Sequence, residues 1–213
     1  MIEYPTILHS SRAPHQRCIA FDKLDGSNIR IKYTRKRGFC QFGSRTQMLE
    51  ESHPILGGAI TYFSNNLAEK CQQIIEDNWG NEREVMLFGE WLGPNSFAGW
   101  HEKEDIDTGK MRLVLFDCMV SHKNRKFLLP KEFIELFGSV IEIPRVIYEG
   151  NLNDEFIAEI KANKYNLHEG VICKGCERTG AARGNVWMAK IKTNAYFTRL
   201  KEKFGPNGMK KYW

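Results

Sequence analysis

The chain has 213 residues, of which 42% are apolar and 27% charged, and a net charge of +5. That balance allows a sizeable core and excludes a disordered or membrane-embedded chain, while the positive sign favours polyanionic partners. No window approaches the roughly 18 to 20 apolar residues of a membrane span, and the opening "MIEYPTILHSSRAP" lacks the apolar centre of a signal peptide. The reading is therefore a cytoplasmic protein, not bound to a membrane, folded as a single domain over 1–213.

The first strand-like run, Cys18-Ile19-Ala20-Phe21, leads into "DKLDGSN", which places Lys23 in a loop between Asp22 and Asp25. "NIRIKYT" then alternates apolar and polar residues, "RKRG" turns the chain and "FCQFGS" returns it, which predicts a β-hairpin. Arg30, Lys32, Arg35, Lys36 and Arg37 give this hairpin a basic cluster. The tail "KEKFGPNGMKKYW" interleaves Lys201, Lys203, Lys210 and Lys211 with Phe204, Tyr212 and Trp213. Both stretches are candidate nucleic-acid surfaces, since lysines meet phosphates and rings stack on bases; a solvated hairpin and a frayed end are the alternative.

From Gly57 to about Asn78, Ile60, Phe63, Leu67, Cys71, Ile74 and Ile75 recur at helical spacing and predict one helix packed on a sheet. "REVMLFGEWLG" reads as a strand ending in Gly89-Glu90-Trp91, followed by a Gly/Asn/Ser/His-rich loop through about Gly109, long enough to be functional. "MRLVLFDCMV" and "RKFLLP" form a second hairpin around "SHKN", and Pro130 opens a helix. "VIEIPRVIYEG" reads as a strand and "NDEFIAEIKANKY" as a helix with Asp154 near its start. "EGVICKG" and "NVWMAKIKT" are strands, and "NAYFTRLKEKFG" is the last helix. Short strands with helices at irregular intervals predict an α+β fold built on antiparallel sheet. The six cysteines read as reduced thiols; Cys173 and Cys176 have metal-ligand spacing but no second pair.

Lys23, Glu90, Glu169, Lys190 and Lys192 each stand in or at the end of an apolar, strand-like run. An unpaired buried charge costs several kcal/mol, so each requires a partner. In "KIK" the two lysines, two residues apart on a strand, share a face and Ile191 takes the other, so an anion is expected beside them. The groups either pair with one another or converge on a ligand.

These residues resemble the covalent nucleotidyltransferase superfamily of ATP-dependent polynucleotide ligases and capping enzymes. Lys23-Leu24-Asp25-Gly26 matches the nucleophile motif K-x-D-G, and "FGSRT" with Arg45 is similar to the next element. "LFGEW" with Glu90, "LVLFDC" with Phe116, "HEGVICK" with Glu169 and "WMAKIKT" with Lys190 and Lys192 complete the set in the family's order. Asn28, five residues after the nucleophile, is similar to the RNA ligase 2-like branch, whereas Asp25 departs from the histidine common there. The resemblance implies an ATP-grasp-like ligase domain of antiparallel sheets flanked by helices. The short stretch after Lys192 leaves no room for an OB-fold or other C-terminal domain, so either an accessory protein or the basic aromatic tail is the candidate to take its place.

The implied chemistry begins with Lys23 attacking the α-phosphate of ATP to form lysyl-AMP. A free lysine, with pKa about 10.4, is neutral in roughly one molecule in 2,500 at pH 7, a deficit of about 4.6 kcal/mol. Lys190, Lys192 and a bound Mg²⁺ or Mn²⁺ are expected to oppose a further positive charge there. By resemblance, Lys190 and Lys192 hold the α-phosphate and Glu90 takes the ribose hydroxyls, while Arg45 meets the ribose or an incoming 5′-phosphate. Phe116 stacks on adenine, and Glu169 and Asn28 order the metal and its waters. AMP then passes to the 5′-phosphate of a nicked or broken RNA, which a 3′-hydroxyl seals. A minimal DNA ligase and a non-catalytic domain that binds nucleotide or RNA ends are the alternatives.

Overall fold

The computed structural model describes residues 1–80, 82, 84–94, 111–121, 125–179 and 185–208. Most of the anticipated loop beyond Pro94, with His101, and the tail residues Lys210, Lys211, Tyr212 and Trp213 lie outside them. The described elements begin with β1 (Leu8–His9), β2 (Arg17–Asp22), β3 (Ser27–Thr34), β4 (Gly38–Gly43) and β5 (Met48–Leu49). Next come α1 (Gly57–Asn66), α2 (Ala68–Trp79), β6 (Glu84–Leu92), β7 (Arg112–Ser121), β8 (Arg125–Phe127) and α3 (Pro130–Phe137). The chain continues with β9 (Val146–Asn151), α4 (Asp154–Lys161), β10 (Gly170–Thr179), β11 (Asn185–Lys192) and α5 (Asn194–Gly208). The fold is α+β, as expected, and no described helix is long and apolar enough to cross a membrane.

The chain divides into two compact units. The first comprises Met1–Thr6, Gly26–Pro144 and Glu177–Val186. Its sheet has the order β5-β4-β3-β6-β7-β8, antiparallel throughout. Ile29, Ile31 and Tyr33, alternate residues of β3, point to one face and meet Ile60, Phe63, Cys71 and Ile75 of the helices in one core. Each such apolar side chain contributes about 1.5 to 3 kcal/mol by leaving water. The expected single helix over Gly57–Asn78 is two, α1 and α2, broken at Leu67, where φ is −123°. The Asn66 side-chain amide donates to the Tyr62 carbonyl at 2.8 Å just before this break.

The second unit comprises Ile7–Asp25, Arg145–Cys176 and Trp187–Trp213, with sheet order β1-β11-β10-β2-β9. β1 runs parallel to β11, whereas β2 is antiparallel to both β10 and β9. Cys18, Ala20, Val171, Cys173 and Ile191 face Leu152, Phe156 and Ile160 in its core. Asn153 caps α4, its Oδ1 accepting from the Phe156 amide at 2.8 Å, one residue before the expected Asp154. The strand predicted over "VIEIPRVIYEG" begins only at Val146. Ile141 instead completes α3, its amide bonded to the Phe137 carbonyl and its side chain in the first unit's core, and Pro144 has no amide to give a ladder.

All six cysteines are free thiols. Burial pushes Cys71 up to about 12 and Cys118 up as well, which keeps both protonated and unreactive. Cys173 and Cys176, three apart on β10, point to opposite faces, so strand geometry separates what their spacing suggested. Among the described residues no group of three or more His, Cys, Asp or Glu is placed to hold a metal.

Candidate active site

In the second unit, β2 delivers Asp22 to its end and Lys23 to the loop that follows. Glu169 is 1% exposed and immediately precedes β10. Its two oxygens are taken by two lysines: Lys23 Nζ donates to Oε2 at 2.6 Å, and Lys192 Nζ lies 2.9 Å from Oε1. The backbone clamps the same three residues. The Lys23 amide donates to the Gly170 carbonyl and the Thr193 amide to the Glu169 carbonyl, each at 2.9 Å. Gly170 makes this approach feasible: with φ +155°, a Cβ there would stand 2.0 Å from the Ile191 carbonyl oxygen.

Lys192 is further seated over the Tyr196 ring, 4.7 Å from its centroid, and Thr193 caps the helix carrying that ring through the Tyr196 amide at 3.0 Å. Lys190 shares the strand face of Lys192, half-buried opposite His9, while Ile191 enters the core as expected. The anion anticipated beside "KIK" is thus Glu169, at Lys192. Arg145 Nη2 lies 3.4 Å from Asp22 Oδ2, and its carbonyl accepts from the Asp22 amide at 2.8 Å. Burial nevertheless holds the Asp22 carboxyl above its ordinary value, because the half-exposed Arg145 offsets that burial only in part.

The K-x-D-G motif crosses from one unit to the other, Asp25 ending one segment and Gly26 opening the next. A Cβ on Gly26 would lie 2.4 Å from the Trp91 carbonyl oxygen, so glycine alone allows its amide to donate to Glu90 Oε1 at 3.1 Å. Asn28 and Glu90 are register partners across β3 and β6. Asn28 Oδ1 is buried and has no hydrogen-bond partner among the described residues. An unsatisfied buried carbonyl oxygen costs roughly 1 to 3 kcal/mol unless a ligand, water or cation meets it. A hydrated divalent cation, which takes hard oxygen ligands, fits that atom; at Glu169 both oxygens are already engaged.

Phe116 is the extra residue of a β-bulge, since Phe88 pairs with Asp117 and Gly89 with Leu115. Bulges re-aim side chains, and here the half-buried ring is braced edge-on by Tyr4 at 5.1 Å. Tyr4 also packs on Phe88 and Phe127 at 4.9 and 5.7 Å and donates to Asp117 Oδ2 at 2.7 Å. Burial and the Asp117 charge push the Tyr4 hydroxyl far above its ordinary value, so it remains a donor. Arg45 stands exposed in the turn between Ser44 and Gln47 and forms no ion pair among the described residues.

Tyr4, Asp117 and Arg145 were not singled out by the sequence reading. Asp117 carried the signal used for Glu90, a charge inside an apolar strand; Tyr4 and Arg145 carried none. The hairpin's basic cluster needs correction. Arg30 is 3% exposed and turns inward, donating to the carbonyls of Ser44 and Ile2 at 2.5 and 2.9 Å, while Lys32 lies 2.5 Å from Glu84.

A family model described as RNA ligase matches residues 16–192, which runs from just before β2 to Lys192. The chain belongs to the RNA ligase family. Among solved structures, a variant of Naegleria gruberi RNA ligase with AMP and Mn is 17% identical at TM-score 0.68, covering 94% of this chain and 59% of that one. Another variant with ATP and Mn matches at 17% identity and TM-score 0.69, with the same 94% and 59% coverage. The Naegleria gruberi enzyme with PPi is 18% identical at TM-score 0.67, covering 95% and 58%. At such identity the likeness establishes the fold, and the chain spans less than two thirds of the length of these relatives. Comparison with curated proteins gives no match.

Proposed function

We propose that this chain carries out the nucleotidyl-transfer chemistry of an ATP-dependent RNA ligase. The observation that carries the reading is the Lys23–Glu169–Lys192 cluster, a lysine of K-x-D-G held at 2.6 Å by a carboxylate that a second lysine also grips. Lys23 Nζ attacks the α-phosphorus of ATP, the bond to the β-phosphate oxygen breaks, and pyrophosphate leaves behind a lysyl-AMP. Phosphoryl transfer asks the protein mainly for position and charge. Glu169 supplies position by fixing Nζ, and Lys190 and Lys192 supply charge opposite the phosphate oxygens.

Before attack the Lys23 ammonium must give its proton to solvent and loosen its bond to Glu169. By resemblance, Glu90 accepts from the ribose, Phe116 stacks on adenine with about 1 to 3 kcal/mol of stabilisation, and Arg45 meets the ribose or an incoming 5′-phosphate. Asn28 Oδ1 would hold a divalent cation through its waters, and when bound the cation would add positive charge to the phosphates of the nucleotide. AMP then passes to an RNA 5′-phosphate, and a 3′-hydroxyl displaces it to seal the strand.

The test is incubation with Mg²⁺ and α-labelled ATP or GTP, beside Lys23→Ala. Acid-stable label from ATP alone, lost in the variant, is expected; a variant that still labels removes Lys23 as nucleophile. Sealing of all-RNA, mixed and all-DNA nicks then identifies the polymer, with RNA the expected strand and an all-DNA preference the contrary result.

A further inference from the structure

Arg35, Lys36 and Arg37 are exposed and consecutive at the tip of the β3–β4 hairpin, and none forms an ion pair among the described residues. The hairpin is not loose. The Arg37 amide donates to the Thr34 carbonyl at 3.1 Å, Gly38 takes φ +63°, and Cys40 bulges between the pairs Lys32↔Gln41 and Tyr33↔Phe39. The ordered turn therefore presents three like charges side by side in sequence, a concentration of positive charge that favours a polyanion. Beneath the row is a cleft of about 450 Å³ lined by Lys32, Arg35, Lys36, Arg37, Gln41 and Glu82.

The charges in that cleft are unevenly distributed. Lys32 is matched by Glu84 at 2.5 Å, and Glu82 adds a carboxylate to the lining, so a small anion entering the cleft meets both signs. The unmatched charge is on the rim. A linear polyanion that follows the rim meets only Arg35, Lys36 and Arg37, and guanidinium forks suit successive phosphates. Seven residues of extended strand separate Arg35 from Asn28, about 20 Å within the same unit, so the row is remote from the nucleotide-facing residues.

We infer that the rim formed by Arg35, Lys36 and Arg37 is a second site, which holds the phosphodiester backbone of the RNA during sealing. The inference rests on the ligase reading for the choice of polymer. It is tested with the combined variant Arg35→Gln, Lys36→Gln, Arg37→Gln, by fluorescence anisotropy of a labelled 5′-phosphorylated RNA across a salt series, with lysyl-AMP formation from ATP measured on the same preparations. Each phosphate contact contributes about 0.7 to the slope of log affinity against log salt for a single strand. The variant should bind more weakly, with a slope shallower by roughly 2, and should form lysyl-AMP as the wild type does. Unchanged affinity and slope in the variant, with a wild type that binds RNA, overturn the rim site alone. A wild type that binds no RNA overturns the rim site and the RNA reading together. Loss of lysyl-AMP formation in the variant overturns a site separate from the nucleotide.

Discussion

In the second unit the motif residues satisfy one another: Glu169 is nearly sealed from solvent, and both its oxygens are held by lysines. In the first unit one acceptor is left open, Asn28 Oδ1 being unbonded among the described residues, and Phe116 is re-aimed by a bulge. A charge buried alone is far more costly than a neutral amide oxygen buried alone. A fold that must stand before its ligand arrives therefore pairs its buried ions internally, and the buried acceptor it leaves waiting, Asn28 Oδ1, is neutral. Substitutions at Glu169 and Gly170 should accordingly damage stability and chemistry together, whereas substitution of Asn28 should damage ligand handling with the fold largely intact.

The largest expected effect is Glu169→Ala. It takes the carboxylate from two lysine side chains that are 22% and 10% exposed, and truncating one member of a buried ionic group costs about 3 to 5 kcal/mol. Urea unfolding checks this, and a loss below about 1 kcal/mol would break the contrast between the units. Gly170→Ala follows, because the new methyl would press on the Ile191 carbonyl; a loss of about 1 to 3 kcal/mol is expected, with lysyl-AMP formation falling alongside.

Tyr4→Phe sharpens the comparison from the other side. It removes the donor 2.7 Å from Asp117, a charge-assisted bond of about 1.5 to 3 kcal/mol, yet keeps the ring that braces Phe116. Thermal unfolding should therefore register the loss while the KM for ATP stays near wild type, and Tyr4→Ala should raise that KM as well. Asn28→Ala is the smallest of the stability effects, within about 1 kcal/mol of wild type, since the oxygen it deletes has no partner to lose. Its lysyl-AMP yield should nonetheless fall sharply, and an unchanged yield would remove Asn28 from the nucleotide or metal site.

What could be read before folding follows the same division. Lys23, Glu90, Glu169 and Lys192 stand out in a linear sequence because a charge within an apolar strand is anomalous wherever it occurs. The α+β class was legible too, from alternation in β3 and helical spacing in α1 and α2. Contacts made by distant, chemically ordinary residues were not. Tyr4 meets Asp117 across 113 positions with no local pattern, and Arg30 looks like a surface cation until Ile2 and Ser44 bring carbonyls to it. The break at Pro144 was hidden for a related reason, since it depends on which unit Ile141 joins.

Asp22 offers the finest probe, because its burial outweighs its pairing with Arg145. Burial raises its carboxyl above the ordinary 3.8, Arg145 and His168 oppose that rise, and Glu169 adds to it. The folded chain then holds the Asp22 proton more tightly than the unfolded chain. Its contribution to stability is greatest below the unfolded value and is lost as pH rises from 3.8 through the folded one. Asp22→Asn cannot ionise, so its stability relative to wild type should climb over that window and level off above it, a difference that cancels the other carboxylates common to both proteins. Unfolding curves of the two across the window measure the climb. A relative stability that falls instead would mean that Arg145, exposed as it is, matches Asp22 as fully as Lys23 and Lys192 match Glu169, and the second unit would then contain no unmatched acid beside its nucleophile.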